Sequence, residues 1–478
     1  MSTARQQLVV MKFGGTSVED ATAIQRTAGI VRSRVQRGQQ PVVVVSAMSK
    51  VTDQLLAAAA AAHAGRGDAT AALEISSKLR LRHLDTAARM ASGDALQMVH
   101  TTLHHHFDTL DELLRGIVAV GELTARTSDL VVSYGERLNS VVVAAAFAQL
   151  GLRGAHVDAR QVIRTDSHFG KATPNDAAIE SALVEIVLPL VQAGRVPVLG
   201  GFIGSDTQGE TTTLGRGGSD YTAALVGGGL HAGAIEIWTD VNGIMTTDPR
   251  LCPEALRVKT ISFEEAAELA YFGAKVLHPA TILPAVQKNI PVWVLNSRNP
   301  SNDGTKITAV APACASPFKS IAAKKKLTII DIVASRMLLA HGFLKRVFDV
   351  FDKHQCAIDM VSTSEVSISV TVDSSEALPA ICEDLRQMAD VSYEGAKALI
   401  CLVGEDIRGQ AGIAAQVFDA VKHVNLRMIS QGASEINMSF MINEEDVAEA
   451  VRSLHARFFR SPDPAIFDVE ARTTLTQA

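Results

Sequence analysis

Several common signatures are missing from this sequence. Its five cysteines (Cys252, Cys314, Cys356, Cys382, Cys401) are scattered, odd in number and without zinc or redox spacing. Such thiols are expected to be reduced, as in a cytoplasmic protein. Met1 to Gln7 has no apolar signal core. The longest apolar runs, Ala57–Ala62 and Val141–Ala148, fall well short of the ~20 residues that span a bilayer. Basic charge is not in excess: the net charge is −6 and the pI about 6.2. Without a basic stripe, nucleic acid and anionic membrane are poor partners. There is no Gly-x4-Gly-Lys-Ser/Thr loop, and no His-Arg-Asp or Asp-Phe-Gly. P-loop enzymes and protein kinases are thereby set aside. The tract His104-His105-His106 with His100 reads as a solvated helix face, not a metal site, because only i, i+4 members share a face.

What is present is the composition of a globular protein, with 47% hydrophobic and 20% charged residues over 478 positions. That length suits two to four domains. Leu8–Met11 is a short strand, Ser17–Gly38 a helix with Ile24, Ala28, Val31 and Val35 on one face, and Pro41–Ser46 a continuous apolar strand. Continuous apolar strands belong in sheets covered on both faces. Strand–helix–strand order predicts an α/β layer. Residues 53–120, rich in Ala, Leu, Arg and His and free of proline, predict a helical insertion. Arg195–Leu199, Ala234–Trp238 and Ile290–Leu295 continue the α/β pattern. A turn-rich stretch, Asn299 to Gly304 followed by Pro312 and Pro317, marks a boundary. Beyond it, Val347-Phe348-Asp349 recurs as Val417-Phe418-Asp419, and Ser364–Ser369 recurs as Ser434–Ser439, both at an offset of 70 residues. This predicts two copies of a βαββ unit. Residues 318–326 could pair with the sheet of either unit.

Three segments carry chemistry. In Lys12-Phe-Gly-Gly-Thr-Ser the glycines let backbone N–H groups approach a phosphate, and Lys12 supplies a mobile cation. In Thr211–Asp220, with Gly200-Gly201 before it, Arg216 offers a fork for a carboxylate and Asp220 a partner for an ammonium or metal. Thr239, Asp240 and Arg250 follow a strand end, where α/β folds bind ligands. Phe272-Gly-Ala-Lys-Val-Leu-His-Pro adds Lys275, and Ser133–Arg137 adds Glu136.

With these motifs in place, the sequence resembles the aspartate kinases of the amino acid kinase superfamily over nearly its whole length. The resemblance implies an αβα sandwich with a helical insertion over residues 1–300 and a linker over 301–327. Two ferredoxin-like ACT domains would follow, over 328–396 and 397–478. It implies transfer of the γ-phosphoryl of ATP to the β-carboxylate of L-aspartate, with Mg²⁺ carried by the nucleotide. Lys12, Asp220 and Lys275 would be catalytic. Lys12, Gly14, Gly15, Thr239, Asp240, Met245, Arg250 and Lys275 would hold ATP, with Met245 at a position where many members carry an aromatic residue. Thr52, Glu136, Arg216, Ser219 and Asp220 would bind aspartate. An effector amino acid, lysine first and threonine second, would meet Met337, Gly342, Phe343, Leu344, Ile358, Asp359, Thr363, Ser364 and Glu365. Ala357 stands where some lysine-responsive members have serine. The ACT domains would pair two chains in a homodimer. Two rival readings stay open: a glutamate or N-acetylglutamate kinase, and a non-catalytic amino-acid sensor.

Overall fold

The computed structural model describes residues 7–272, 279–312, 316–334, 341–373 and 376–469. They divide into two compact units: one of residues 1–244 and 276–310, the other of 245–275 and 311–478.

The first unit is built on a sheet whose strands run in the order β3-β4-β2-β1-β5-β6-β7. These strands are β1 (Leu8–Phe13), β2 (Gln40–Val45), β3 (Gly154–Val157), β4 (Val196–Gly200), β5 (Ala234–Thr239), β6 (Val292–Asn296) and β7 (Thr305–Thr308). All neighbours are parallel except β6 and β7. Val42, Val43, Val44 and Val45 are all buried, as a strand covered on both faces requires. Register aligns Phe13 with Val45 and Trp238, and Val45 with Gly200. The loops after β1, β2, β4 and β5 therefore leave the sheet side by side. The chain order turns back at β1, and in such sheets the crevice at the strand C-termini is where ligands bind.

The expected helix from Ser17 starts later. Gly15–Ser17 forms a single 3₁₀ turn, and α1 spans Ala21–Gln36 with the Asp20 side chain accepting from the Ala23 N–H. The predicted insertion is helical. It consists of α2 (Val51–Ala64), α3 (Thr70–Met90) and α4 (Gly93–Val120), and α5 (Ala125–Gln149) follows. Leu55, Leu103, Phe107, Leu110 and Leu114 join Val9, Met11 and Phe13 in one apolar core, so the helices extend the sheet's core. By length and composition α5 could cross a membrane, a possibility that the short apolar runs did not suggest. However, 83% of its most apolar window is packed inside the protein, as expected of a core helix. Within the histidine tract His104 and His105 are exposed, while His106 packs edge-on against Tyr134. This unit also contains α6 (Gly218–Gly229), which begins at Gly217 with φ 74°.

In the second unit, α7 (Phe263–Tyr271) opens with a capping box between Ser262 and Glu265. The two copies of the repeat then share one six-stranded antiparallel sheet. The first copy comprises β8 (Ser320–Val333), α8 (Phe343–Lys353), β9 (Ile358–Thr363), β10 (Ser367–Asp373) and α9 (Leu378–Arg386). The second comprises β11 (Asp390–Val403), α10 (Ile413–Ala420), β12 (Met428–Gln431), β13 (Asn437–Asn443) and α11 (Val447–Phe458). The 70-residue offset extends to the long strands, with Ser320 matching Asp390 and Val333 matching Val403. Strand order is β9-β10-β8-β11-β13-β12. Leu327–Val333 pair with β10, whereas Ser320–Lys324 pair only with Leu399–Val403 of β11. Residues 320–324 thus complete the sheet of the second copy. The expected boundaries at 327/328 and 396/397 fall inside β8 and β11, because each long strand serves both copies. The expected linker also contains β7 and the start of β8.

Two polar ties hold α7 to the shared sheet. Lys319, 1% exposed, pairs with Glu265 at 2.9 Å. Glu268 accepts from Asn437 Nδ2 at 2.7 Å and from Ser434 Oγ at 3.2 Å.

Candidate active site

A cleft of about 560 Å³ lies at the C-terminal ends of β1, β2 and β4. Seven expected residues line it: Lys12, Gly15, Thr52, Glu136, Arg216, Ser219 and Asp220. They come from four chain segments, brought together by strand order.

Lys12 is the last-but-one residue of β1, and its Nζ stands 2.7 Å from Asp220 Oδ1. Gly14 donates its N–H to Trp238 O, and the Gly15 carbonyl accepts from Ser49 N–H. A Cβ on Gly15 would sit 2.9 Å from Ala47 O, so this glycine is required by close backbone approach. The loop Ser46–Lys50 lines the cleft beside it. Lys50 adopts φ 67° as it enters α2, which places Thr52 and Asp53 in the first turn.

Glu136 is 3% exposed on α5. Its Oε1 accepts from Ala47 N–H at 3.1 Å, and its Oε2 has no hydrogen-bond partner among the described residues. Burial pushes its pKa up to about 8, against the opposing effects of the Ala47 N–H and the Lys12 charge. A buried carboxylate with a free oxygen facing a cleft suits an ammonium. Gly200 permits this placement: a Cβ there would lie 2.9 Å from Glu136 Cβ. Gly201 does the same for Ser219, whose Cβ would be 2.7 Å away.

Arg216 is exposed in the loop between Gly215 (φ 75°) and Gly217 (φ 74°), just ahead of α6. Gly217, Gly218, Ser219 and Asp220 line the cleft at the N-terminus of that helix, where its dipole favours negative charge.

Other expected residues stand apart. Thr239 ends β5 and Asp240 follows it, the Thr239 hydroxyl donating to Asp240 Oδ1 at 3.2 Å, and neither lines the cleft. Met245 and Arg250 belong to the second unit. There the Met245 carbonyl accepts from Ser320 Oγ, and Arg250 is held by Asp248 through Nε and Nη2. Lys275 and Met337 lie outside the described residues. Among the expected effector residues, Gly342 (φ 78°) caps α8, Phe343 is buried and Leu344 is exposed. Thr363 at the end of β9 and Ser364 and Glu365 after it are exposed, with Ser364 Oγ 2.7 Å from Ser367 Oγ. Ile358 is half-buried at the start of β9. Asp359 is already paired: both its oxygens meet Lys324 Nζ, at 2.9 and 2.8 Å.

Some site residues went unread in the sequence. Ser46 to Lys50 follow a strand paired with β1, and that position is a readable signal. Arg82 gives no such signal, yet from α3 it donates to Ser49 O at 2.9 Å and Glu19 O at 3.0 Å, clamping both loops.

The profile of the amino acid kinase family matches residues 7–296, and that of the ACT domain matches 330–383 and 400–458. Lysine-sensitive aspartokinase 3 of Escherichia coli is 36% identical over 95% of this chain and 99% of its own length. Aspartokinase 2 of Arabidopsis thaliana, a chloroplast protein, is 37% identical over 97% of this chain and 86% of its own. Escherichia coli aspartokinase III, solved with lysine and aspartate, superposes with a TM-score of 0.82 at 35% identity, covering 95% of this chain and 100% of that one. Its complex with aspartate and ADP gives 0.81, at the same identity and coverage. The chain belongs to the amino acid kinase family and, within it, to the aspartokinases.

Proposed function

We propose that this chain transfers the γ-phosphoryl group of ATP to the β-carboxylate of L-aspartate, forming 4-phospho-L-aspartate, and is inhibited by lysine through its ACT units. The carrying observation is the cleft that gathers Lys12, Glu136, Arg216 and Asp220 around the glycine turn at Gly14-Gly15. Arg216 forks onto the α-carboxylate, and Glu136 takes the ammonium with Asp220, Ser219 and Thr52 around it. Lys12 and the backbone at Gly14 and Gly15 receive the phosphates. Thr239, Asp240, Met245, Arg250 and Lys275 hold the rest of the nucleotide.

The attacking β-carboxylate, with a pKa of ~3.9, is ionised at neutral pH. No general base is needed. The residues must place it in line with the γ-phosphorus and offset the repulsion between two anions. Lys12 does this from within the cleft: on phosphate arrival its ammonium turns from Asp220 to the transferring group. Mg²⁺ riding on the nucleotide adds charge neutralisation when bound.

Lysine inhibition is supported by the ACT match and by the lysine-sensitive relative. The effector meets the first copy at residues 342–344, 358–359 and 363–365, with Met337. The two chains of a homodimer pair through these units, where edge strand β9 exposes Val361.

Hydroxylamine trapping tests the chemistry, because it converts an acyl phosphate to a hydroxamate. Wild-type protein with MgATP and aspartate yields aspartyl hydroxamate. Lys12→Ala yields it at least ~100-fold more slowly, about 2.7 kcal/mol in the barrier, with an unchanged circular-dichroism spectrum. Near-normal trapping in that variant contradicts the role given to Lys12.

A further inference from the structure

Asp129 lies on α5, two turns before Glu136, and is 3% exposed. It does not line the cleft. Its carboxylate instead ties together two loops that do. Oδ2 accepts from Gly170 N–H at 2.8 Å and from Thr213 N–H at 2.9 Å. Oδ1 accepts from the Thr213 hydroxyl at 2.8 Å. Gly170 is itself a cleft residue, and Thr213 is three positions before Arg216. Between them the Ala172 N–H donates to Thr213 O at 2.8 Å, and a Cβ on Gly215 would lie 3.4 Å from Gly170 O. The two loops are thus packed together, and one buried carboxylate holds both.

Beyond Thr213 the chain passes through Leu214 and the left-handed Gly215 to Arg216. Glycine on either side leaves Arg216 little local restraint. Its direction depends on where the short strand Thr211–Thr213 ends, and Asp129 holds that end. The helix that carries the ammonium-binding carboxylate therefore also fixes the base of the α-carboxylate fork. This sets the distance between the two groups that read an α-amino acid.

We propose that Asp129 is a positioning residue for the amino-acid substrate: it fixes the loop that bears Arg216 and does not act on the nucleotide. The inference rests on the proposed role of Arg216. It predicts a selective effect, because the loop at Gly14-Gly15 makes no hydrogen bond to Asp129.

The test is steady-state kinetics on the full chain, varying aspartate and MgATP separately. Asp129→Ala leaves two N–H groups, that of Thr213 buried, without an acceptor and should raise the KM for aspartate at least ~10-fold, with the KM for MgATP within about two-fold. Asp129→Asn should stay within about three-fold of wild type on both, because its amide oxygen can accept from both N–H groups and its NH₂ can donate to the Thr213 hydroxyl. Should Asp129→Ala fail to fold, Thr213→Val removes one bond alone and should raise the aspartate KM about three-fold. Equal rises in both KM values, an unchanged aspartate KM in a folded Asp129→Ala or Thr213→Val, or an Asn variant as impaired as Ala would each overturn the proposal. A wild-type chain with no aspartate-dependent turnover would defeat the functional reading, and this inference with it.

Discussion

At the scale of single residues, the cleft combines groups with opposite needs. Lys12 and Asp220 neutralise each other at 2.7 Å, while Glu136 is buried without a cation of its own. The folded chain keeps the Glu136 proton up to about pH 8, whereas an unfolded chain releases it near pH 4.5. Between those values the folded state binds more protons, so this group's contribution to stability falls as pH rises and is at its least favourable above pH 8. Glu136→Gln removes that penalty. In thermal melts without ligand, the variant should exceed wild type at pH 8.5, and the difference should shrink as pH falls and vanish below about pH 4.5. The same variant should bind aspartate more weakly, because the proposed ammonium would displace the proton that Glu136 holds in the ligand-free chain and pair with the carboxylate, which Gln cannot supply. Equal melting temperatures at pH 8.5 would show that Glu136 ionises freely in the folded chain.

The residue scale also shows what a sequence can reveal. Lys12, Gly14 and Gly15 were legible because their glycine turn is local: strand, two glycines and helix follow one another. Arg216 and Asp220 were legible for the same reason. Asp129 and Arg82 were not. Asp129 meets Thr213 across 84 positions, and Arg82 meets Ser49 across 33 and Glu19 across 63. Nothing in the residues around a buried Asp or a helical Arg marks such a partner.

At the scale of elements, the repeat was legible through its 70-residue offset, but the sharing of β8 was not. A strand of 14 residues that serves two copies of the repeat leaves the same pattern as one that serves a single copy. The sharing has a consequence at Lys324. This residue sits on the part of β8 that pairs with the second copy, opposite Leu399, yet its ammonium holds Asp359 of the first copy. The Asp359 side chain is 5% exposed, and Lys324 also reaches Asp373 at 3.1 Å. An effector lysine directed at Asp359 must displace the chain's own ammonium, which Asp373 can retain. Lys324→Met leaves Asp359 buried without its cation, a costly state that an external ammonium relieves. Inhibition titrations should therefore show half-inhibition at a lower lysine concentration in Lys324→Met than in wild type. Loss of lysine sensitivity would show instead that Lys324 builds the effector site.

At the scale of the whole molecule, regulation requires that an effector bind two states of the protein unequally. The division of the chain bears on this. Residues 245–275 are late in the kinase-family match but belong to the compact unit that contains the repeats. Within that unit α7 is tied to the shared sheet by the buried Lys319–Glu265 pair and by Glu268 at Ser434 and Asn437. By the 70-residue offset, Ser434 and Asn437 match Ser364 and Ser367 beside the expected effector residues. In the second copy, then, the equivalent loop is engaged by the chain's own carboxylate. Rate measurements on the full chain test the account most directly: initial ADP production with MgATP and, in turn, aspartate, glutamate and N-acetylglutamate, each with and without lysine. The account predicts turnover with aspartate alone among the three, and its suppression by lysine. Turnover with glutamate or N-acetylglutamate in place of aspartate, or aspartate turnover that lysine leaves untouched, would contradict it.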